Sequence, residues 1–370
     1  MPYPQFDRTA VKMKSLTARD NKVEIERDHV PVDQAPSPLS ATARGILAET
    51  VDRIVSAREQ QRPVMVTFGA HTIKNGLALV LIRLAEDGWL THMATNGAGI
   101  IHDWEFAFQG KSSEDVRGNV ARGEFGNWEE TGFYINLALN VGVYEGKGYG
   151  ESVGALIENE GLDVPSRSVL EAEVAEQLPG DAPRAARAAY LLDILRRFDI
   201  PPGRLDVPHP HRRYSVQAAA YRLGVPLTGH PMFGHDIIYN HPMNHGPSLG
   251  CAAQRDFLTF ADSVQRIDGG VYLSIGSAVM SPMVFEKSMS MAQNVAIQDG
   301  THITQHFILV VDLAESHWDW SRGEPPADNP DYYLRYNKSF NRMGGTMHYL
   351  TADNRDFLLA LNAALGQHSR

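Results

Sequence analysis

WLTHMATNGAGIIHDWEFAF, residues 89–108, carries an extended apolar segment, a turn of small residues at Asn96, Gly97, Ala98 and Gly99, and then an apolar helical stretch beginning at about Ile100. The segments before it follow the same plan. PVMVTFG (63–69) is a short apolar run closed by glycine, and GLALVLIRLAEDG (76–88) is apolar at helical spacing. Strand, turn, helix, strand, turn, helix predicts an α/β fold built on a parallel sheet with helices on both faces, because parallel neighbours need a crossover between them.

The pattern extends in both directions. In SATARGILAETVDRIVSAREQ (40–60), Ser40 or Thr42 can cap a helix whose Ile46, Leu47, Val51 and Ile54 share one face. Helices are predicted in APRAARAAYLLDILRRF (182–198), SVQAAAYRLG (215–224) and PMVFEKSMSMAQNV (282–295). Strands are predicted in VPLTG (225–229), GGVYLSIG (269–276) and HITQHFILVVDL (302–313). Residues 118–161, rich in glycine with acidic and aromatic residues, read as an active-site flap or a helical excursion. Residues 1–38 mix charge with Pro31, Pro36 and Pro38 and read as an N-terminal arm, with 39–370 as a single α/β domain.

Composition excludes several classes. The formal net charge of −10 and the lack of a long basic block argue against nucleic acid as a partner. No apolar run reaches the roughly 18 residues of a bilayer span, and the first residues lack the apolar centre of a secretory signal. The single cysteine, Cys251, precludes an internal disulfide framework. A cytoplasmic protein without membrane association is expected.

In an open parallel sheet, ligands sit beyond the carboxyl ends of the strands. Three segments fall there: GAHTIKNG (69–76), TNGAGIIHD (95–103) and SIGSAVMSP (274–282). Small residues let the backbone approach a pyrophosphate, and a helix starting near Ile100 would direct its positive end at the anion. The GxGxxG fingerprint is absent, and glycines at strand ends also serve as plain turns. GHPMFGHDIIYNHPMNHG (229–246) brings His230, His235, Asp236, His241 and His245 into one stretch. Imidazole and carboxylate together suit a divalent metal, which opens a metal-dependent hydrolase as an alternative. The spacing matches no metal motif of known mechanics, and Pro242 disfavours a helix that would pair His241 with His245, so no metal is assigned.

With these segments in view, the chain resembles the deoxyhypusine synthase family over about residues 28–340. The family's Thr-x-Ala-Gly-Gly-x-Glu-Glu-Asp is similar to TNGAGIIHD, its Gly-Asp-x-Ile-x-x-His to GHDIIYNH (234–241), and its Pro-Asp-Glu-Ala-x-x-Trp-Gly-Lys to PDYYLRYNK (330–338). The resemblance implies a Rossmann-like fold that binds NAD and transfers an aminoalkyl group through a lysine imine, with a small-molecule amine or a protein lysine as substrate. A homospermidine synthase-like reaction is a close variant. It implies Lys338 as the nucleophile, His241 as a proton carrier, and a substrate site of Tyr336, Tyr332, Asp236 and His245. It implies a cofactor site of Thr95, Asn96, Gly97, Ala98, Gly99 and Asp103, joined by His71, Thr72, Asn75 and Gly76 and by Gly276, Ser277 and Ala278. It also implies a homotetramer with sites shared between subunits.

The chain departs from the family pattern. Tyr332 replaces a glutamate, Asn337 a glycine, and DWSRGEPPADNP (319–330) has prolines where an acidic residue is expected. Those carboxylates hold substrate ammonium groups in the family, so spermidine itself is in doubt; Asp319, Glu324 and Asp328 are the available substitutes. A non-catalytic NAD-binding scaffold is therefore a third reading. For the lysine mechanism the amine must be stripped of water, since free lysine is almost wholly protonated at neutral pH. Tyr332, Tyr333 and Tyr336 are expected to supply that desolvation and to keep water from the imine.

Overall fold

A computed structural model describes residues 3–368, except the side chain of Arg335. Met1 and Pro2 of the expected arm, and Ser369 and Arg370 at the other end, lie outside the described residues. The centre is a six-stranded sheet of β1 (Val64–Phe68), β2 (His92–Asn96), β3 (Leu227–His230), β4 (Val271–Ile275), β5 (Phe307–Asp312) and β6 (Thr346–Thr351). All its pairings are parallel, in the spatial order 6-5-4-1-2-3. From the other edge this is 3-2-1-4-5-6, the order of the doubly wound dinucleotide-binding sheet, with its reversal between β1 and β4.

The sheet forms because its strands are apolar on both sides. Val64, Val66 and Phe68 of β1 point into one core with Leu273, Ile275, Leu309 and Val311, while Met65 points into the other with Tyr272, Ile308 and Val310. A strand buried on both faces reads as a continuous apolar run, which is how PVMVTFG looks in sequence. The first core is covered by α1 (Ala41–Glu59), α3 (Ala78–Glu86), α4 (Gly97–Gln109) and α11 (Asn354–Leu365); short α2 (Ala70–Lys74) lies between β1 and α3. The second is covered by α8 (Gly246–Gln265), α9 (Met280–Gln298) and α10 (Arg335–Asn341) through Phe260, Phe285 and Phe340. Helices α5 (Glu129–Glu145), α6 (Tyr149–Glu158) and α7 (Val216–Leu223) complete the β3 side.

Several expectations are met and several corrected. Ser40 caps α1, its Oγ accepting from Ala43 N–H at 3.1 Å. Five of the six sheet strands match predicted segments; β6 and α11 were missed. No loop separates β2 from its helix: α4 begins at Gly97, not Ile100, because the Asn96 side chain accepts from Gly99 N–H at 2.9 Å and caps the helix directly on the strand end. Residues 118–161 are a helical excursion rather than a flap, built mainly of α5 and α6. Leu16, Ile25 and Val30 of the N-terminal segment are buried in the first core. There Arg19 makes a two-pronged ion pair with Glu105 at 2.8 and 2.6 Å, with both side chains buried. Burial alone would raise the Glu105 carboxyl, but the Arg19 guanidinium holds it below its ordinary value.

Candidate functional site

The chain leaves β1, β2, β3 and β4 at the same end of the sheet, and the four departing segments enclose a crevice of about 480 Å³. Gly69 and Ala70 enter from β1, Asn96, Gly97 and Ala98 from β2, His230 from the end of β3 and Asp236 from beyond it, and Gly276, Ser277 and Ala278 from β4. The volume suits a small-molecule site, for which about 300–1,000 Å³ is usual.

Three glycines show how tightly the crevice is built. A Cβ on Gly69 would lie 2.1 Å from the Gly276 carbonyl oxygen, so the chains leaving β1 and β4 touch across the reversal point of the sheet. Gly276 itself has a φ of 57°, and a Cβ there would strike the Asn354 side chain at 2.3 Å. At Gly97 the obstructing atoms belong to the Asp236 carboxylate, 2.1 Å from where a Cβ would be.

Asp236 is a strongly perturbed group facing the crevice. Its residue is 9 % exposed and its Oδ2 has no hydrogen-bond partner among the described residues. Burial pushes its carboxyl up to about 7. A buried acid that titrates near neutrality and faces a cavity can accept or donate a proton there. The same wall separates the crevice from a second chamber of about 320 Å³, lined by Arg19, Lys74, His102 and Ser113 as well as Asp236. Ser113 holds a φ of 72°, a left-handed conformation unusual for a residue with a side chain.

The structure brings together His71, Asn96, Gly97, Ala98, Asp236, Gly276, Ser277 and Ala278 of the residues expected from sequence. Thr95 lies behind the wall, its hydroxyl donating to the Phe68 carbonyl at 2.9 Å, and Gly99 packs on Thr95. Thr72 is buried and Asn75 is exposed, neither lining the crevice. Gly76 (φ 80°) packs against the backbone of Asp28 and His29. Asp103 is not at the crevice either. Its carboxylate accepts from Ser215 Oγ at 2.5 Å, Val216 N–H at 2.8 Å and Gln217 Nε2 at 2.9 Å, and so holds the start of α7. Burial raises its carboxyl, against the pull of these donors.

The histidines separate as well. His241 is buried beside α5, its Nδ1 accepting from Met243 N–H at 3.0 Å and its Nε2 lying 3.4 Å from Glu129; burial lowers its pKa despite that carboxylate. His245 caps α8, hydrogen-bonded through Nδ1 to the Ser248 hydroxyl at 2.9 Å, and burial lowers its pKa too. Among the described residues no three His, Cys, Asp or Glu side chains are grouped to hold a metal, so the five-residue cluster suggested by GHPMFGHDIIYNHPMNHG does not assemble. The reason is geometric: an irregular segment after β3 points its side chains in different directions.

PDYYLRYNK folds into a 3-10 turn (Pro330–Tyr333) and α10. Asp331 fixes the turn by accepting from His317 N–H at 2.8 Å and Trp318 N–H at 2.7 Å. Lys338 Nζ lies 3.4 Å from the centre of the Tyr332 ring, a contact that attracts the ammonium form. Tyr333 is 73 % exposed, and Tyr336 is half-buried, its hydroxyl 3.3 Å from that of Tyr349. The three rings therefore do not close over the lysine within one chain, and Lys338 is not among the residues lining the crevice. Of the suggested carboxylates, Asp319 caps a 3-10 turn, Glu324 is held by Arg342 at 2.5 and 3.0 Å, and Asp328 is exposed.

Sequence reasoning missed the polar network behind the crevice. His230 Nε2 meets Thr228 Oγ1 at 2.9 Å, Thr228 Oγ1 meets His92 Nε2 at 3.0 Å, and His92 Nδ1 meets Ser263 Oγ at 2.9 Å. The available signal was a histidine and a threonine inside strands otherwise apolar. Also missed was the apolar rim of Met232, Val279 and Met283, each about half exposed or more.

No family model matches the chain, and no curated protein matches it. Among solved structures, ArgZ, an arginine dihydrolase from cyanobacteria, is 16 % identical over 90 % of this chain and 33 % of its own, with a TM-score of 0.41. AgrE in a ternary complex with ornithine and NAD+ is 12 % identical over 90 % of this chain and 34 % of its own, at 0.43. A "putative deoxyhypusine synthase" from Entamoeba histolytica is 10 % identical over 88 % of this chain and 90 % of its own, at 0.38. The chain thus spans about a third of the length of ArgZ and AgrE. Likenesses this distant carry no functional weight, and the fold assignment stands on the strand order and the parallel register.

Proposed function

We propose that the crevice binds NAD and that the protein is an NAD-dependent enzyme acting on an amine, transferring an aminoalkyl group through an imine on Lys338. The observation that carries the reading is the position of the crevice at the strand-order reversal, floored by the contact of Gly69 with Gly276. Doubly wound sheets bind dinucleotides at that point, where backbone without side chains admits the pyrophosphate.

The residues present fit such a cofactor. The glycine floor and Ser277 and Ala278 would back the dinucleotide, and the unpartnered Asp236 would face the reacting end. NAD, when bound, would accept hydride from the carbon that bears the substrate nitrogen. Asp236, poised near neutrality, would take the proton that the ammonium gives up. The apolar rim would exclude water from the product imine.

Lys338 would serve the crevice of a neighbouring copy in a homotetramer. The exposed rim residues Met232, Val279 and Met283 support cover by a second copy at the crevice mouth. Because Glu324 is engaged by Arg342, the acceptor and donor amines are left open between a small diamine and a protein lysine.

Titration with NADH, followed by nicotinamide fluorescence, tests the cofactor: saturable binding is expected, and its absence rejects the reading. Borohydride reduction in the presence of NAD and a panel of diamines tests the lysine. An adduct on Lys338 that disappears in Lys338→Arg is expected; an adduct mapped to another residue removes Lys338 from the mechanism.

A further inference from the structure

We propose that His230, Thr228, His92 and Ser263 form a proton relay running beneath α8, from the crevice at the carboxyl end of the sheet to a separate cavity at its opposite end. The four groups form an unbroken chain of hydrogen bonds at 2.9, 3.0 and 2.9 Å. Its two ends open onto different spaces. His230 lines the crevice, and among the described residues only its Nε2 is hydrogen-bonded. Ser263 lines a cavity of about 340 Å³ together with Thr91, Arg62 and Arg266.

The sheet register builds this line. Opposed residues of neighbouring strands point to the same side, and Ala94 of β2 opposes Thr228 of β3. His92, two residues before Ala94, and His230, two residues after Thr228, therefore share that face. Phe260 of α8 packs edge-on against both imidazoles, at 5.4 and 5.2 Å. Every member can both donate and accept, which a relay requires and a simple cap does not.

Burial lowers both imidazoles to about 3, so each is neutral at physiological pH. Neutral rings pass a proton by exchanging tautomers. When a proton binds His230 Nδ1, the His230 Nε2–H bond breaks and its proton joins Thr228 Oγ1. The Thr228 hydroxyl proton passes to His92 Nε2, the His92 Nδ1 proton to Ser263 Oγ, and the Ser263 hydroxyl proton to water in the far cavity. One proton enters, one leaves, and no net charge remains in the sheet.

The use of the relay rests on the NAD reading. Oxidation of a primary alkylammonium substrate to its iminium breaks one C–H bond and one N–H bond and forms a carbon–nitrogen double bond. The hydride goes to the nicotinamide dinucleotide, and one proton is released into a crevice that the second copy proposed above would close to water. Reduction of the transferred imine takes one proton back. The relay carries the first outward once Asp236 has given it up and the second inward, and the return resets the polarity of every bond in it. A purely structural network would instead rest in one polarity.

The test is nitrogen NMR on full-length protein labelled with 15N-histidine. In the wild type, His92 and His230 are expected to be neutral and to exchange between both tautomers. Thr228→Val keeps the shape and removes the hydroxyl, so it should lock each ring into one tautomer and slow exchange of the His92 ring proton with water by on the order of tenfold, about 1.4 kcal/mol in barrier. Thr228→Ser should restore both. Fixed single tautomers in the wild type, or wild-type behaviour in a folded Thr228→Val, overturn the relay. NADH titration of the same proteins separates the two ideas: absent NADH binding in the wild type indicts the cofactor reading, whereas NADH binding with locked wild-type tautomers indicts the relay alone.

Discussion

The Asp236 carboxylate occupies the place where Gly97 would carry a side chain: its Oδ2 lies 2.1 Å from the position of a Cβ on that glycine. The first residue of α4 and the buried acid of the crevice therefore depend on each other. Gly97→Ala must push Asp236 aside. The expected result is a loss of about 1–3 kcal/mol in urea unfolding, the range for overpacking, with weakened NADH binding in a fluorescence titration. Unchanged values in both would show that the two residues are not in contact.

Asp236 should also write itself into the pH dependence of stability. Its carboxyl is raised from 3.8 to about 7 in the folded protein, so between those values the folded state holds a proton that the unfolded state has lost. Its stabilising contribution is complete below about pH 4 and is lost as pH rises through 7. Asp256, also raised to about 7 by burial despite accepting from Gly150 and Gly229 N–H, acts in the same direction. Asp236→Asn is expected to flatten the slope between pH 4 and 7, and to stabilise at pH 8 by an amount on the order of 2–4 kcal/mol. Urea melts at several pH values would show it; an unchanged slope would mean that Asp236 titrates normally.

The Arg19–Glu105 pair ties the N-terminal segment to α4. Both side chains are buried, and Thr131 Oγ1 and Ser112 Oγ also donate to Glu105. Arg19→Ala leaves an uncompensated buried carboxylate and is expected to destabilise by about 3–5 kcal/mol. The double variant Arg19→Met/Glu105→Gln should recover most of that. Thermal melts of the two variants distinguish this from simple loss of packing, which the double variant would not repair.

Lys338 is expected to separate function from stability. Its contact with the Tyr332 ring is partly exposed, so Lys338→Ala should change stability by no more than about 1 kcal/mol. The same variant should abolish borohydride-trapped adduct. A large loss of stability with adduct retained would reverse the assignment and make this lysine structural.

The fold was legible where one residue pattern has one physical solution. PVMVTFG is apolar at nearly every position, and a strand buried on both faces is what uses such a run between charge and glycine. The small residues of TNGAGIIHD were read as admitting a pyrophosphate; the group packed against Gly97 is the Asp236 side chain, and Asn96 starts the helix without a loop. At the site, the segments after β1, β2 and β4 were found because strand ends in a parallel sheet face one crevice by construction. Asp103 and His241 matched family motifs by spacing, and His245 was placed at the substrate site beside them, yet all three are engaged by other neighbours: the α7 backbone, Glu129 and Ser248.

By itself, the sequence determined the alternation of buried strands and helices, since burial periodicity is a local property of the chain. Only the tertiary structure decided which polar groups stayed without partners and which were joined. The Asp236 carboxylate and the line from His230 to Ser263 depend on distances between residues as much as 171 positions apart, set by strand register and helix packing. Desolvation and hydrogen bonding act through space, so chemistry of this kind exists only once the sheet is assembled.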